Sequence, residues 1–348
     1  MAAWAAEALA RAQVGQRAWA AAPFGERAEA LRGFAAALGR RADALAAGLA
    51  AESGKVLGQA KAEVRATRAR VKAQLQTAER VLSRAPVEHR QGSVLERVVQ
   101  EPLGVVAAIS SWNYPFFVGA NVFASALAAG NAVLYKPSEL VPETGAAITE
   151  LLHEAGVPDD VFVNVGADRE AGAALAALPG LGGIFFTGSV ATGVAILRAA
   201  APHATEVNLE LGGKDPAYVR ADADVAAAAR ALCSGVMYNS GQSCCSVERI
   251  YVHEAVYADF LEVGALPAAP RRRFLSRPRL LKRILHRPRD PPLTRTPPPP
   301  HCTEILCGSP PSRRGPARPA RGGGDAAGAA RRGGGGRRDG AGGRQGLS

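Results

Sequence analysis

The sequence predicts an α/β fold built on a doubly wound parallel sheet. Three observations carry this reading. Residues 104–109, 132–135, 161–165, 183–186 and 206–211 form five short, largely apolar runs. Apolar runs without polar alternation suit strands buried on both faces. Stretches with helical character lie between them, at 115–129, 142–155, about 169–178 and 191–201. Gly130 and Gly156 close the first two. Strand and helix therefore alternate five to four, the pattern of parallel strands joined by crossover helices.

The flanking segments read differently. Pro23, at a plausible first turn, precedes Leu31, Phe34, Leu38, Leu45 and Leu49, which have the spacing of one helix ended by Ser53-Gly54. Val64, Val71, Leu75, Ala78 and Leu82 give another, whose basic outer face reads as solvated surface. Residues 91–101 (QGSVLERVVQE) read as an exposed hairpin or edge strand in need of a partner. Asp222 and Asp224 are both placed to cap a helix running to Met237, and residues 249–252 read as a strand.

Composition narrows the class. The 348 residues are 47% hydrophobic, as in a globular protein. Five cysteines without a regular framework point to a reducing compartment. No apolar run approaches the roughly 20 residues needed to span a bilayer. Residues 1–12 lack the basic start and apolar block of a secretory signal. The net charge of +11 is misleading as an average. Residues 264–348 hold 19 of the 42 Lys and Arg but only 4 of the 31 Asp and Glu, so the rest of the chain is mildly acidic.

Residues 239–246 (NSGQSCCS) put a thiol just after a small polar turn that follows a helix-like run. A cysteine there can sit at a loop tip and pass an acyl group through a thioester. The alternative is an ordinary packing cysteine. Ligands of open parallel sheets bind beyond the carboxyl ends of the strands. That rule selects Trp112, Asn113, Lys136, Glu139, Thr187, Gly188, Ser189, Glu210, Gly212 and Gly213. Residues 188–193 join a strand to a helix whose first amides suit a pyrophosphate, although an ordinary tight turn fits them as well. Glu210 interrupts an apolar strand and reads as a buried carboxylate, costly unless paired or functional. Lys136 taken alone also fits a surface lysine.

Seven motifs occur in order: Pro102-Leu103-Gly104-Val105, Trp112-Asn113-Tyr114-Pro115, residues 127–133 (LAAGNAV), Lys136-Pro137-Ser138-Glu139, Phe186-Thr187-Gly188-Ser189, residues 209–214 (LELGGK), and Gly241-Gln242-Ser243-Cys244. Over about residues 10–263 the chain resembles the NAD(P)-dependent aldehyde dehydrogenase superfamily. The resemblance implies a Rossmann-like cofactor domain at 1–84 and 104–212, with an N-terminal helical region. It implies an oligomerisation hairpin at 85–103 and an incomplete α/β catalytic domain at 213–263. It makes Cys244 the nucleophile, Asn113 the oxyanion donor and Glu210 the base for the hydrolytic water. Lys136 and Glu139 would hold the adenosine ribose and Ser189 the pyrophosphate. Ser111, Trp112, Ser138, Gly188, Leu211 and Gly212 join the cofactor-binding set. Because a carboxylate prefers free hydroxyls to a 2′-phosphate, NAD is favoured over NADP. An aldehyde substrate, homodimers or homotetramers, and a cytoplasmic location complete the expectation, with no metal, membrane or specific nucleic-acid partner.

Past Glu262 the character changes. Residues 264–348 contain 14 of the 24 prolines and 15 of the 39 glycines. The expectation is a disordered basic tail produced by a frameshift or mispredicted end, and a chain impaired in folding or activity. Two rival functions follow: a catalytically inactive cofactor-binding fragment, and nucleic-acid binding through the tail's Arg-Gly clusters. Phe274 is the tail's one aromatic residue, which leaves little to stack on bases. His301-Cys302 with Cys307 lacks a second ligand pair at zinc spacing and reads as chance.

Overall fold

The computed structural model describes residues 3–82, 87–265 and 302–306. Five parallel strands make the central sheet: β3 (Val105–Ile109), β4 (Ala132–Lys136), β5 (Phe162–Asn164), β6 (Gly183–Gly188) and β7 (Val207–Leu211), in the order β5-β4-β3-β6-β7. The crossover helices are α5 (Pro115–Ala128), α6 (Pro142–Glu154), α7 (Arg169–Ala176) and α8 (Val190–Ala200). The chain winds outward from β3 through β4 to β5, then returns to the other side of β3 for β6 and β7. The direction reverses between β3 and β6, and the loops leaving those two strands part there.

The central strands are buried because both faces are covered: all five residues of β3 and all five of β4 are inside. Phe123 of α5 is the hub of the core. Its ring meets those of Phe34, Tyr135 and Phe162 edge-on, at centroid distances of 5.8, 6.0 and 5.6 Å. Such contacts are the favoured aromatic geometry.

Four N-terminal helices flank this sheet: α1 (Ala3–Ala21), α2 (Phe24–Arg40), α3 (Ala42–Ser53) and α4 (Leu57–Leu82). Helix α1, which the alanine-rich start did not announce, buries Ala5, Leu9, Ala12 and Trp19, and the Trp19 indole donates to the Leu127 carbonyl at 2.9 Å. The single helix expected after Pro23 is two. The break falls at Arg41, whose guanidinium pairs with Glu150 and Glu154 of α6 at 2.9 and 3.4 Å. A tertiary contact occupies the break, and neither Gly nor Pro stands at that position. Gly54 does end α3, in the left-handed conformation at φ +70°.

The expected hairpin is present as β1 (Val87–Gln91) and β2 (Val94–Val98), antiparallel, with every residue of β2 exposed. Beyond the main sheet, β8 (Asp215–Val219) and β9 (Val247–His253) pair in parallel. Helices α9 (Val225–Met237) and α10 (Glu254–Ala265) are the helices of this unit, and Val219, Ala229, Ile250, Val252 and Phe260 form its small core. Asp224 caps α9 by accepting from the Ala227 amide at 2.9 Å, whereas Asp222 pairs with Arg220 instead of capping.

Two further expectations are corrected. Residues 302–306, assigned to a structureless tail, form β10 (Cys302–Leu306), antiparallel to β9. This run, Cys-Thr-Glu-Ile-Leu, is free of Pro and Gly, and β9 offers it an open edge. The remaining tail assignments, including His301 and Cys307, lie outside the described residues. Glu210 is exposed, not buried. Strand β7 is the sheet's edge and alternates half-buried with exposed residues, so its carboxylate faces out of the core. Among the described residues, no helix is long and apolar enough to cross a membrane and no cluster of His, Cys, Asp and Glu could hold a metal.

Candidate active site

The site begins where β3 ends. Ser110, Ser111, Trp112 and Asn113 fill the turn into α5, which starts at Pro115, a residue pre-set for a first helical turn. The buried Glu63 carboxylate of α4 holds that helix start, accepting from the Phe116 and Phe117 amides at 3.0 and 3.4 Å. Its other oxygen lies 2.6 Å from Lys55 Nζ, and the two side chains are 1% and 0% exposed. Lys55 Nζ also donates to the Asn113 carbonyl at 2.6 Å and stands 4.7 Å from the Tyr114 ring centre. Burial pushes the Lys55 ammonium down and the Glu63 carboxyl up, and each opposes the other's shift by its charge. The backbone of Asn113 is thereby fixed from beneath.

The thiol arrives from the other side. Helix α9 ends at Met237, and Asn239, Ser240 and Gly241 follow in the left-handed region at φ 51°, 59° and 74°. Glycine accepts that conformation freely and asparagine tolerates it; serine does so at a cost. Asn239 is buried and its Nδ2 donates to the Asn113 carbonyl at 3.0 Å. Asn113 in turn donates from Nδ2 to the Gln242 carbonyl at 2.7 Å, while its Oδ1 accepts from Ser111 Oγ at 2.8 Å. Two bonds therefore tie the β3–α5 turn to the cysteine turn.

Cys244 and Cys245 are both exposed, so neither is a packing cysteine. Burial pushes the Cys244 thiol above its ordinary range, with further upward pressure from Cys245 and from the Glu210 carboxylate; its own backbone amide works the other way. Cys245 Sγ lies 3.3 Å from Ser243 Oγ. The end of β7 passes close by: a Cβ on Gly213 would sit 3.7 Å from the Cys244 carbonyl oxygen.

The opposite end of the cleft is polar and partly buried. Lys136, at the end of β4, is buried, which sets aside the surface reading. Its Nζ lies 3.4 Å from Glu139 Oε2, and Ser138 Oγ lies 3.5 Å from the same oxygen. Partial burial raises the Glu139 carboxyl, but its own backbone amide, Arg169 and Lys136 together hold it below the usual carboxylate range. Between the two ends, Ser189 caps α8, accepting from the Thr192 amide at 3.2 Å. Gly188 before it has no room for a side chain, because a Cβ would fall 2.4 Å from the Phe186 ring.

The two ends open on one cleft of about 870 Å³ beyond the carboxyl ends of β3, β4, β6 and β7. Each of the twelve residues to which the resemblance gave a role lines it. Cys244, Glu210 and Asn113 stand there, with Ser111 and Trp112 beside them. So do Lys136, Ser138 and Glu139, and also Gly188, Ser189, Leu211 and Gly212. Sequence reasoning missed Arg169, Lys55 and Glu63. Arg169 follows the cap residue Asp168 and looks like any first helical residue. Lys55 and Glu63 act from separate segments, and no spacing rule joins them.

Residues 2–266 match the sequence profile of the aldehyde dehydrogenase family. The chain is 36% identical over 256 residues to the lactaldehyde dehydrogenase of Escherichia coli (strain K12), which covers 73% of this chain and 53% of that protein. It is 48% identical over 166 residues to the 4,4'-diapolycopene aldehyde oxidase of Methylomonas sp., covering 47% of this chain and 31% of the other. Among solved structures, 3,6-anhydro-L-galactose dehydrogenase in complex with NAP matches with a TM-score of 0.71 at 35% identity, covering 75% of this chain and 55% of that one. The chain spans about half the length, or less, of the relatives it matches.

Proposed function

The chain belongs to the aldehyde dehydrogenase family, and from that premise we propose that the cleft oxidises an aldehyde to a carboxylic acid with NAD(P)+. One observation carries the reading: a reachable thiol, an amide donor and a carboxylate from three distant segments face one cleft. The residues present fit a dinucleotide. A carboxylate and a buried lysine stand at one end, and a capped helix start lies in the middle. The Gln242 side-chain oxygen, from the cysteine turn at the other end, is buried without a partner.

In this mechanism Cys244 Sγ loses its proton and bonds to the aldehyde carbon, and the carbonyl oxygen becomes an oxyanion. Asn113 Nδ2 donates to that oxygen. Nδ2 carries two N–H groups: one bonds the Gln242 carbonyl, and the other is left for the substrate oxygen. The bound cofactor supplies one thing, acceptance of a hydride from the aldehyde carbon. The acyl group is then a thioester on Cys244. Glu210 takes a proton from water, the water oxygen bonds to the acyl carbon, the C–S bond breaks, and the thiol is restored as the acid leaves.

The domain division at 1–84 with 104–212, 85–103 and 213–263 follows the same reading. The exposed Val94 and Val98 of β2 support assembly into dimers or tetramers through the hairpin. Three free cysteines among the described residues agree with a cytoplasmic location.

The test is cofactor reduction on adding aldehyde, with intact-mass detection of the acyl adduct. An adduct on Cys244 supports the reading; an adduct on Cys245 alone removes it. The raised Cys244 thiol favours one rival, a fragment that binds cofactor without turnover, and cofactor binding with no adduct would single it out.

A further inference from the structure

We propose that Cys244 and Cys245 together form a two-thiol site for a trivalent, sulfur-seeking metalloid, with an aryl arsenic(III) oxide as its type ligand. The inference goes beyond the oxidation proposed above and needs neither aldehyde nor cofactor. That mechanism uses one sulfur and leaves its neighbour idle. Both thiols are free and exposed, and they share one turn between Gly241 and β9. They also act on each other. After burial, the Cys245 thiol is the next cause that holds the proton on Cys244, by charge and by a hydrogen bond.

Geometry decides what the pair can take. Adjacent Cα atoms lie about 3.8 Å apart across a trans peptide, whereas disulfides usually span about 4.4–6.8 Å. A direct S–S bond is therefore strained here, and one atom between the sulfurs supplies the missing reach. Zinc does not suit that place, because structural zinc takes about four protein ligands. Among the described residues, no group of three or more His, Cys, Asp and Glu could hold a metal. Arsenic(III) needs only two sulfurs and one carbon. The state of the thiols agrees. Peroxide oxidation starts from a thiolate, which the surroundings of Cys244 disfavour, whereas condensation with an arsenic oxide starts from neutral thiols. Two As–S bonds form and the As=O bond is lost. The two thiol protons leave with that oxygen as one water, and arsenic stays trivalent. The aryl group has neighbours as well. Cys245 Sγ lies 3.3 Å from Ser243 Oγ, Ser243 bonds the half-buried Tyr114 phenol, and the exposed Tyr238 acts on the same phenol. Two aromatic rings thus stand on the Cys245 side of the turn.

The reduced full chain is mixed with an equal amount of phenylarsine oxide at pH 7, washed with excess 2-mercaptoethanol and weighed intact. One phenylarsenic adduct survives the wash, 2,3-dimercaptopropanol removes it, and iodoacetamide no longer reaches Cys244 while it is present. C244S and C245S each weaken binding about a hundredfold or more, the scale of losing a second tethered contact. C233S leaves binding unchanged. Both positions of the pair are exposed, so serine is tolerated there, and unchanged circular dichroism is the folding control. A wash-resistant adduct in C244S or C245S places the ligand elsewhere among the five cysteines and overturns the proposal. Loss of two hydrogens with no arsenic gained overturns it too, since that marks a direct disulfide. Neither result touches the oxidation reading, and an adduct formed by a chain that never reduces cofactor removes that reading alone.

Discussion

Asn113 and Gln242 are 129 positions apart, yet the side-chain amide of one bonds the backbone carbonyl of the other at 2.7 Å. This bond joins the loop leaving β3 to the loop carrying the thiol. The position of Cys244 over the sheet therefore depends on the sheet itself.

C244S should abolish the acyl adduct and lower aldehyde oxidation by about three orders of magnitude or more, as loss of a nucleophile does elsewhere. C245S should keep both within several-fold. Intact-mass analysis with steady-state rates decides. Equal loss in the two variants would contradict the assignment.

The Cys244 thiol sits above its ordinary range because burial and nearby negative charge disfavour the thiolate. Its iodoacetamide alkylation should therefore be slow at neutral pH and rise at higher pH than for an open thiol. E210Q removes one of the opposing charges and should speed alkylation at pH 7, by about two- to fivefold for a solvated charge. Slower alkylation in E210Q would reverse the sign and refute the contact.

K55M should destabilise the fold by about 3 kcal/mol, the scale of leaving one member of a buried pair alone. Glu63 keeps its two amide bonds, but its charge loses the Lys55 ammonium that pairs with it. A urea midpoint unchanged from the parent would show the pair to be energetically silent.

Alkaline stability follows from the tyrosines. Burial pushes Tyr114 up to about 12, and full burial raises Tyr135 as well. An unfolded tyrosine ionises near 10. Between about pH 10 and 12 the unfolded chain has released protons that the folded one retains, so stability falls as pH rises. Denaturation midpoints at pH 9 and 11 test this. Y135F should flatten the decline.

G188A should weaken cofactor binding about tenfold or destabilise the chain by about 1–3 kcal/mol, because the added methyl overlaps the buried Phe186 ring. Calorimetry with a parallel melt separates the two outcomes. Neither effect would mean that the ring swings aside freely.

The central sheet was legible because its strands are buried on both faces, so 104–109 and 132–135 carry no polar alternation to confuse the reading. The cleft was legible because strand ends are fixed points in such a sheet. What escaped was set by long-range partners. Arg41 divides a periodic stretch where it meets Glu150 and Glu154 on another helix. Glu210 looked buried because an edge strand and a central strand share the same residue preferences. Arg169 gained its meaning only when the fold set it beside Glu139.

Asn239, Ser240 and Gly241 have a consequence of their own. For three residues the backbone coils against the hand of the α-helices described above, and this reversal delivers Gln242 to its bond with Asn113. The segment admits side chains by chirality more than by size. A branched L-residue such as valine or isoleucine is disfavoured there however well its volume fits, while a D-residue would sit without strain. The connection nearest the sulfur is thus among the least permissive in the protein, although it lies in a loop.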